Sequence, residues 1–224
     1  MRLLRLYAAA ATALLLVVAV AGFGRGIHTA VFDEITVSKI NVVDSEGRTR
    51  VLLAGGYPPR RADLAGLLFI NQDGVEAGGL VYRGTQDTVG GIQAGAILTF
   101  DQYGNDQIVA LSYDHDGGRK RQGLTIQERP DTLSDLVKEA YRAIETAPSA
   151  AERDSLTKHY LAMIPQQDLV SRRLFVGRTY DRASVVTLSD PAGNPRLRLV
   201  VDSLGAASIS FLDEQGQVVR TITP

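Results

Sequence analysis

The feature that most constrains the fold is a turn motif in which Asp or Asn stands three residues before Gly. If the 21 Asp and Asn residues and the 22 Gly residues were placed at random along the chain, about two such pairs would be expected. The chain has nine. The acidic or amide side chain accepts hydrogen bonds from the backbone ahead of it, and the glycine adopts the positive φ that closes a hairpin. The motif therefore predicts hairpin turns at nine pairs: Asp44 with Gly47, Asp63 with Gly66, Asn71 with Gly74, Asp87 with Gly90, Asp101 with Gly104, Asp114 with Gly117, Asp190 with Gly193, Asp202 with Gly205 and Asp213 with Gly216.

The segments between these turns alternate between apolar and polar residues. Ile209 and Phe211 alternate with Ser208 and Ser210, for example, and this period of two indicates strands with one buried face. The turns at residues 190, 202 and 213 follow one another closely enough to join consecutive antiparallel neighbours. We therefore expect a mainly β fold of antiparallel meander sheets, sandwich- or barrel-like.

One segment has helical periodicity instead. After Pro130, apolar residues recur at helical spacing from Leu133 to Ile144, and Ser149 with Glu152 forms a capping box that opens a second helix. We expect this helical hairpin to be inserted between two β blocks. The predicted organisation is β block 1 over 32–130, the helical insertion over 131–170 and β block 2 over 171–224.

The N-terminus predicts a membrane segment. Arg2 and Arg5 precede an uncharged run over 6–24, and a helix of that length spans about 28 Å, close to the hydrocarbon thickness of a bilayer. The basic start places residues 1–5 in the cytoplasm, with 25–31 as a linker and the β domain in the periplasm. We expect a single-pass inner-membrane signal anchor whose membrane-spanning residues include Leu6, Leu14, Leu15, Leu16, Val17, Val18 and Phe23.

A second fate for the same segment stays open. Ala19-Val20-Ala21 has the small-residue pattern of a signal-peptidase site. Cleavage after Ala21 would release an exported protein, whereas an uncut segment would keep the protein in the membrane.

No catalytic constellation emerges from the sequence. The chain has no cysteine and three histidines, none of them paired at metal-ligand spacing, and it has no nucleophile elbow or phosphate loop. Asp114-His115-Asp116-Gly117 lacks the further oxygen ligands of a calcium loop. We therefore expect no catalytic residue, no cofactor and no metal. The net charge of −1 argues against nucleic acid as a partner.

Three stretches carry a resemblance to other proteins: 32–44, 71–80 and 100–107. Together they resemble a group of bacterial exported or single-pass membrane-anchored β-rich proteins of unknown role. The resemblance covers roughly Phe32–Pro130. It implies a shared β-rich domain and supplies no site residues.

Three hypotheses on function follow. The first is a non-enzymatic, membrane-anchored accessory or scaffold subunit that presents its β domain to other subunits of a larger membrane complex, such as a photosynthetic or respiratory complex. The second is a cleaved periplasmic ligand-binding module. The third is a hydrolase that uses paired carboxylates, which would require two such groups about 5–10 Å apart in a cleft.

Overall fold

The computed structural model describes residues 7, 11–15, 30–56, 64–86, 90–165 and 169–224, divided into two units at Val37 and Ser38. In the first unit, Tyr7 and residues 11–15 are helical, and Leu14 and Leu15 are exposed. No helix among these described residues is long and apolar enough to cross a membrane. The predicted span therefore stays a prediction. Its other residues, and the Ala19–Ala21 site, lie outside the described part of the chain: Leu6, Leu16, Val17, Val18 and Phe23.

The second unit is mainly β, and its strands form an antiparallel meander, as predicted from the turn spacing. Among the described residues, twelve strands pair in strict sequence order from β1 to β12. Their bounds are β1 Lys39–Val43, β2 Thr49–Ala54, β3 Leu64–Ile70, β4 Glu76–Gln86, β5 Ile92–Asp101, β6 Gln107–Asp116, β7 Arg119–Glu128, β8 Ser171–Arg178, β9 Ser184–Ser189, β10 Pro195–Val201, β11 Ala207–Leu212 and β12 Val218–Ile222.

The twelve strands form one open sheet, with β1 and β12 as its edges, and not the predicted sandwich or barrel. A sandwich needs a connection that carries the chain into a second layer, and a barrel needs its first and last strands to pair. The helical insertion, the longest connection, joins β7 to β8, which are neighbours in the same sheet. Within the part of the chain that the structure describes, extensive contacts are confined to adjacent strands and to the two helices with each other.

Five of the motif's turns have the predicted geometry. In the turn at Asp202, the Oδ1 atom accepts hydrogen bonds from the backbone N–H groups of Leu204 at 2.8 Å and Ala206 at 2.9 Å. The N–H of Gly205 donates to the carbonyl of Asp202 at 3.1 Å, and Gly205 has a φ of 92°. The same bonds recur at Asp44 with Gly47, Asn71 with Gly74, Asp190 with Gly193 and Asp213 with Gly216.

The glycines of these four turns also have the positive φ that the motif predicts. The values are 81° at Gly47, 80° at Gly74, 87° at Gly193 and 75° at Gly216. Each of these glycines takes the fourth position of its turn, where its N–H donates to the carbonyl of the Asp or Asn three residues before it.

The pair Asp101 and Gly104 is placed differently from the prediction. Asp101 is the last residue of β5, and Gln102 takes the first position of the turn, where its carbonyl accepts from the N–H of Asn105 at 2.9 Å. Gly104 keeps a positive φ of 71°, but it takes the third position of this turn and not the fourth. The turn is therefore shifted by one residue along the chain.

Three further pairs also depart from the predicted hairpin turn or fall partly outside the described chain. Asp114 lies inside β6, because Gly117 and Gly118 alone connect β6 to β7. Gly66 lies within β3. Asp63 and Asp87, the first residues of their pairs, lie outside the described residues.

One turn departs from the motif altogether. Thr179 and Ala183 bracket a turn in which the N–H of Arg182 donates to the carbonyl of Thr179 at 3.1 Å. Arg182 has a φ of 71°, in the region that Gly occupies in the other turns. The Thr179 hydroxyl also donates to the Asp181 carboxylate, so a hydrogen bond between two side chains of the turn stabilises it.

The inserted segment forms two helices, α1 over Asp135–Thr146 and α2 over Ala150–Met163. Each is preceded by an N-cap serine whose hydroxyl accepts a hydrogen bond from a backbone N–H group, Ser134 from Val137 and Ser149 from Glu152. These helices enclose a small core in which Val137 is 1 % exposed. The other members of this helical core are Ala140, Ile164, Leu133, Leu136, Tyr160 and Leu169.

Arg129 joins the insertion to the sheet. Its side chain is 10 % exposed and donates to the Asp106 carboxylate at 2.9 Å. It also donates to the carbonyls of Gln107 at 2.9 Å and Leu169 at 3.3 Å. One guanidinium group thus ties the chain that leaves the insertion to the start of β6.

Candidate interaction surface

The register of the sheet places one aliphatic residue from every strand in a single row. Because directly opposed residues in antiparallel strands point to the same side, each of these side chains faces the same way. We call this set the aliphatic row: Ile40, Leu53, Leu67, Leu80, Leu98, Leu111, Leu124, Val176, Val186, Leu199, Ile209 and Ile222.

A second row lies two residues along each strand, on the same side of the sheet. We call it the flanking row, and it consists of Val42, Val51, Phe69, Gly78, Phe100, Val109, Ile126, Leu174, Leu188, Leu197, Phe211 and Arg220. The two rows together are the apolar face. Arg220, in the edge strand β12, is the one charged residue in these two rows.

The side chains of the apolar face are exposed or half-buried. Leu111 in the middle of the sheet is 55 % exposed, Leu80 is 52 % and Phe100 is 50 %. No member of the aliphatic row is buried. A contiguous apolar patch larger than a few hundred Å² marks an interaction site in soluble domains, since leaving it in water is costly.

The opposite side of the sheet, here the polar face, has more small and polar residues. Its Thr99, Thr125 and Phe175 are only 4–7 % exposed. The Arg121 guanidinium carbon lies 4.2 Å from the ring centre of Phe175. The polar face therefore covers itself in its middle strands, and the apolar face does not.

Glycines on the polar face allow the strands to approach closely. A Cβ on Gly177 would overlap the carbonyl oxygen of Gln122 and lie 2.6 Å from the Cα of Gly123. A Cβ on Gly123 would in turn lie 2.6 Å from the Phe175 ring. Side chains at these positions are excluded by the adjacent strand.

Charge lies at the margin of the apolar face. His115 and Lys120 oppose each other beside the turn between β6 and β7, and Gln122 opposes Arg178 one step further in. These groups stand at one end of the strands, on the side of the sheet that carries the aliphatic row. The two apolar rows contain no acidic residue.

Over β8–β12 the sheet forms a shallow groove of about 690 Å³. Val176, Val186, Leu199, Ile209 and Ile222 of the aliphatic row line it. Pro224, at the end of the sequence, stands at its border. The groove is a part of the apolar face and not a separate cavity.

Carboxylates meet at the opposite end of the strands from His115. Burial raises the pKa of Glu76, and the negative charges of Asp101 and Asp106 raise it further. Burial also raises the pKa of Asp101. The negative charge of Asp106 raises that pKa further, and the positive charge of Arg129 lowers it. The Asp101 Oδ1 atom is buried without a hydrogen-bond partner. Among the described residues, no group of three or more His, Asp or Glu side chains is placed to hold a metal ion.

The turn residues predicted from the sequence lie in the connections between strands or beside them, and the structure does not bring them together into one site. Their role is to shape the hairpins. They are Asp44, Gly47, Asn71, Gly74, Asp101, Gly104, Asp190, Gly193, Asp202, Gly205, Asp213 and Gly216.

Sequence reasoning missed the apolar face, although the alternation that builds it is visible in β10 and β11. Alternation predicts that one side of each strand is buried. It does not state whether a second layer of the same chain covers that side.

A scan against protein-family models finds no match for this chain, and a search of curated proteins finds none either.

Proposed function

We propose that this protein is a non-enzymatic accessory or scaffold subunit that presents its β sheet to other proteins of a membrane complex. Its N-terminal segment would hold it in the inner membrane, and the sheet would stand in the periplasm. The observation that carries the proposal is the apolar face, an exposed pair of apolar rows that crosses all twelve strands.

The free-energy cost of leaving apolar surface in water supports this proposal. Burying apolar surface contributes roughly 25 cal/mol per Å², so a face of this size has a strong drive toward a partner. Interfaces of obligate assemblies resemble a domain core cut in half, with apolar residues at the centre and charge at the rim. The apolar face has this distribution, with Lys120 and Arg178 at its margin.

Two alternatives have less support. The groove over β8–β12 favours a ligand-binding module, but it is open to solvent and lacks convergent polar groups that would orient a ligand. The Glu76 and Asp101 carboxylates favour a hydrolase through their raised pKa values. The Arg129 charge opposes the raised pKa of Asp101, and neither carboxylate lines the groove.

The test is extraction of the full chain from its native membrane with a mild detergent, followed by size analysis and identification of co-migrating proteins. The expected result is a particle larger than two copies of the chain, with other proteins in fixed proportion. A lone monomer, or a species no larger than two copies, overturns the proposal.

A matched pair of variants locates the contact. Leu111→Asp puts a charge in the middle of the apolar face, whereas Ser112→Asp puts the same charge on the polar face. We expect the first variant to lose its partners and the second to keep them. Equal loss in both, with both folded by circular dichroism, would contradict a role for the apolar face.

A further inference from the structure

From the apolar face we infer that the first partner of this sheet is a second copy of the same chain, packed face to face across a two-fold axis. This inference rests on the proposed function: the chain would join the membrane complex as a pair of copies, and the second copy would cover the apolar face. Two copies would then form a two-layer sandwich, each copy supplying one layer.

The first argument is architectural. Stable domains consist of at least two packed layers around one hydrophobic core. The described residues supply one layer with a complete apolar side. Their two helices are packed on each other. The missing layer needs an apolar surface of the same length, and a second copy offers one.

The second argument is area. Twelve strands about 4.8 Å apart span roughly 53 Å, and two rows cover about 14 Å along the strands. The projected area is therefore about 700 Å², near the roughly 800 Å² per partner that a stable interface buries. Side chains that stand up from the sheet, such as Phe69, Phe100 and Phe211, add to this area.

The third argument is self-complementarity. A two-fold interface uses the same patch on both subunits, so a charge near its centre would meet its own sign. The apolar face satisfies this condition because its charged residue, Arg220, lies in the edge strand β12. Full overlap of the two faces puts the two-fold axis at the middle of the sheet, and the middle strands β6 and β7 of one copy then lie over the same strands of the other. Leu111 and Leu124 would thus lie near the axis.

Cysteine cross-linking tests this inference directly, because the chain has no cysteine of its own. Leu111→Cys on the apolar face is compared with Ser112→Cys, the next residue along β6, on the polar face. Each full-length variant is purified in mild detergent without other proteins and treated with a short bis-maleimide. We expect a covalent dimer from the first variant and at least about tenfold less from the second, because only the first cysteine would lie near its own copy across the axis.

Sedimentation of the purified wild-type chain supplies a measurement independent of any variant. A dimer at micromolar concentration supports the inference, and a monomer overturns it. Equal cross-linking of the two cysteine variants also overturns it.

The same cysteines in native membranes separate this inference from the proposed function. Cross-linking of Leu111→Cys to a different protein, with a monomer in the purified state, overturns the second copy and leaves the scaffold role standing. A dimer in both settings without other co-purifying proteins supports the second copy and overturns the scaffold role.

Discussion

The helical insertion encloses a core of its own, whereas the twelve strands beside it leave their apolar side uncovered. Val137 between α1 and α2 is 1 % exposed, and Leu111 at the centre of the sheet is 55 % exposed. Both regions are amphipathic by sequence. Two helices that pack against each other cover each other's apolar stripe. In a meander, by contrast, the aliphatic side chains of all strands point to the same side of one sheet, and no other strand of that sheet covers them.

This difference indicates how each region is held together. The helices depend on burial of a few side chains. The sheet depends on backbone pairing, cross-strand contacts and turn geometry, and it leaves its largest apolar surface for an outside partner. Substitutions should therefore act on the two regions through different interactions.

The largest effect is expected at Gly177. In the Gly177→Val variant the new side chain would overlap the backbone of β7, so we expect a loss of about 3 kcal/mol or more in the free energy of unfolding. Ser208→Val is the control, because Val185 and Val200 already occupy the same row of the polar face. Urea unfolding measures both. A fully stable Gly177→Val variant would contradict the close approach of β7 and β8.

Val137→Ala should cost about 2 kcal/mol, because it leaves a cavity at the one large side chain that is fully buried in the described part of the chain. Hydrogen exchange should show faster opening of α1 and α2 with the sheet unchanged. Leu161→Ala in α2 is the control, since Leu161 is 58 % exposed and should cost far less. Equal loosening of helices and sheet would show that the two regions unfold as one unit.

Asp202→Ala should cost about 1 kcal/mol, because two backbone N–H groups of the turn lose their acceptor. Thermal unfolding measures the change. Asp202→Asn is the matched variant, since Asn71 makes the same pair of bonds in its own turn, and it should retain most of the stability. If the asparagine variant loses as much as the alanine variant, the side-chain acceptor is not the cause.

The smallest effect is expected at Asp101. Burial raises its pKa in the folded state above the ordinary 3.8. The protonated carboxyl therefore favours the folded state fully below a pH of about 3.8, and this contribution to the free energy of unfolding is lost as the pH rises through the raised pKa. Asp101→Asn removes this loss. The variant should be the more stable protein at pH 7, and its advantage should shrink toward pH 4, as measured by urea unfolding across that range. An advantage that stays constant with pH would show that burial of the charge is not responsible.

Local chemistry made much of the fold predictable. Asp44, Asp190 and Asp213 identify turns because their side chains hold the backbone next to them, without help from the rest of the chain. The helices were predictable for the same reason, from Ser149 and an apolar spacing. Within each β block the sheet order followed from short connections, which bring consecutive strands together, but they carry no information about the pairing of β7 with β8 across the helical insertion.

Three features were outside the reach of such reasoning. Arg182 occupies a positive φ that side-chain sterics disfavour, so composition gave no sign of its turn. The turn after β5 begins at Gln102 and not at Asp101, which leaves Gly104 one position earlier in the turn than predicted. The number of layers depends on what covers the apolar face, and alternation within a strand carries no information about that.

Because the sheet is a meander, its width can change by one hairpin at a time. Every connection between described neighbours other than the helical insertion is local, and each added hairpin would widen the sheet by about 10 Å without disturbing the pairing of the rest. Duplication or loss of one hairpin would therefore lengthen or shorten the sheet while leaving its chemistry intact. The number of hairpins thus sets the length of partner surface that one chain can cover.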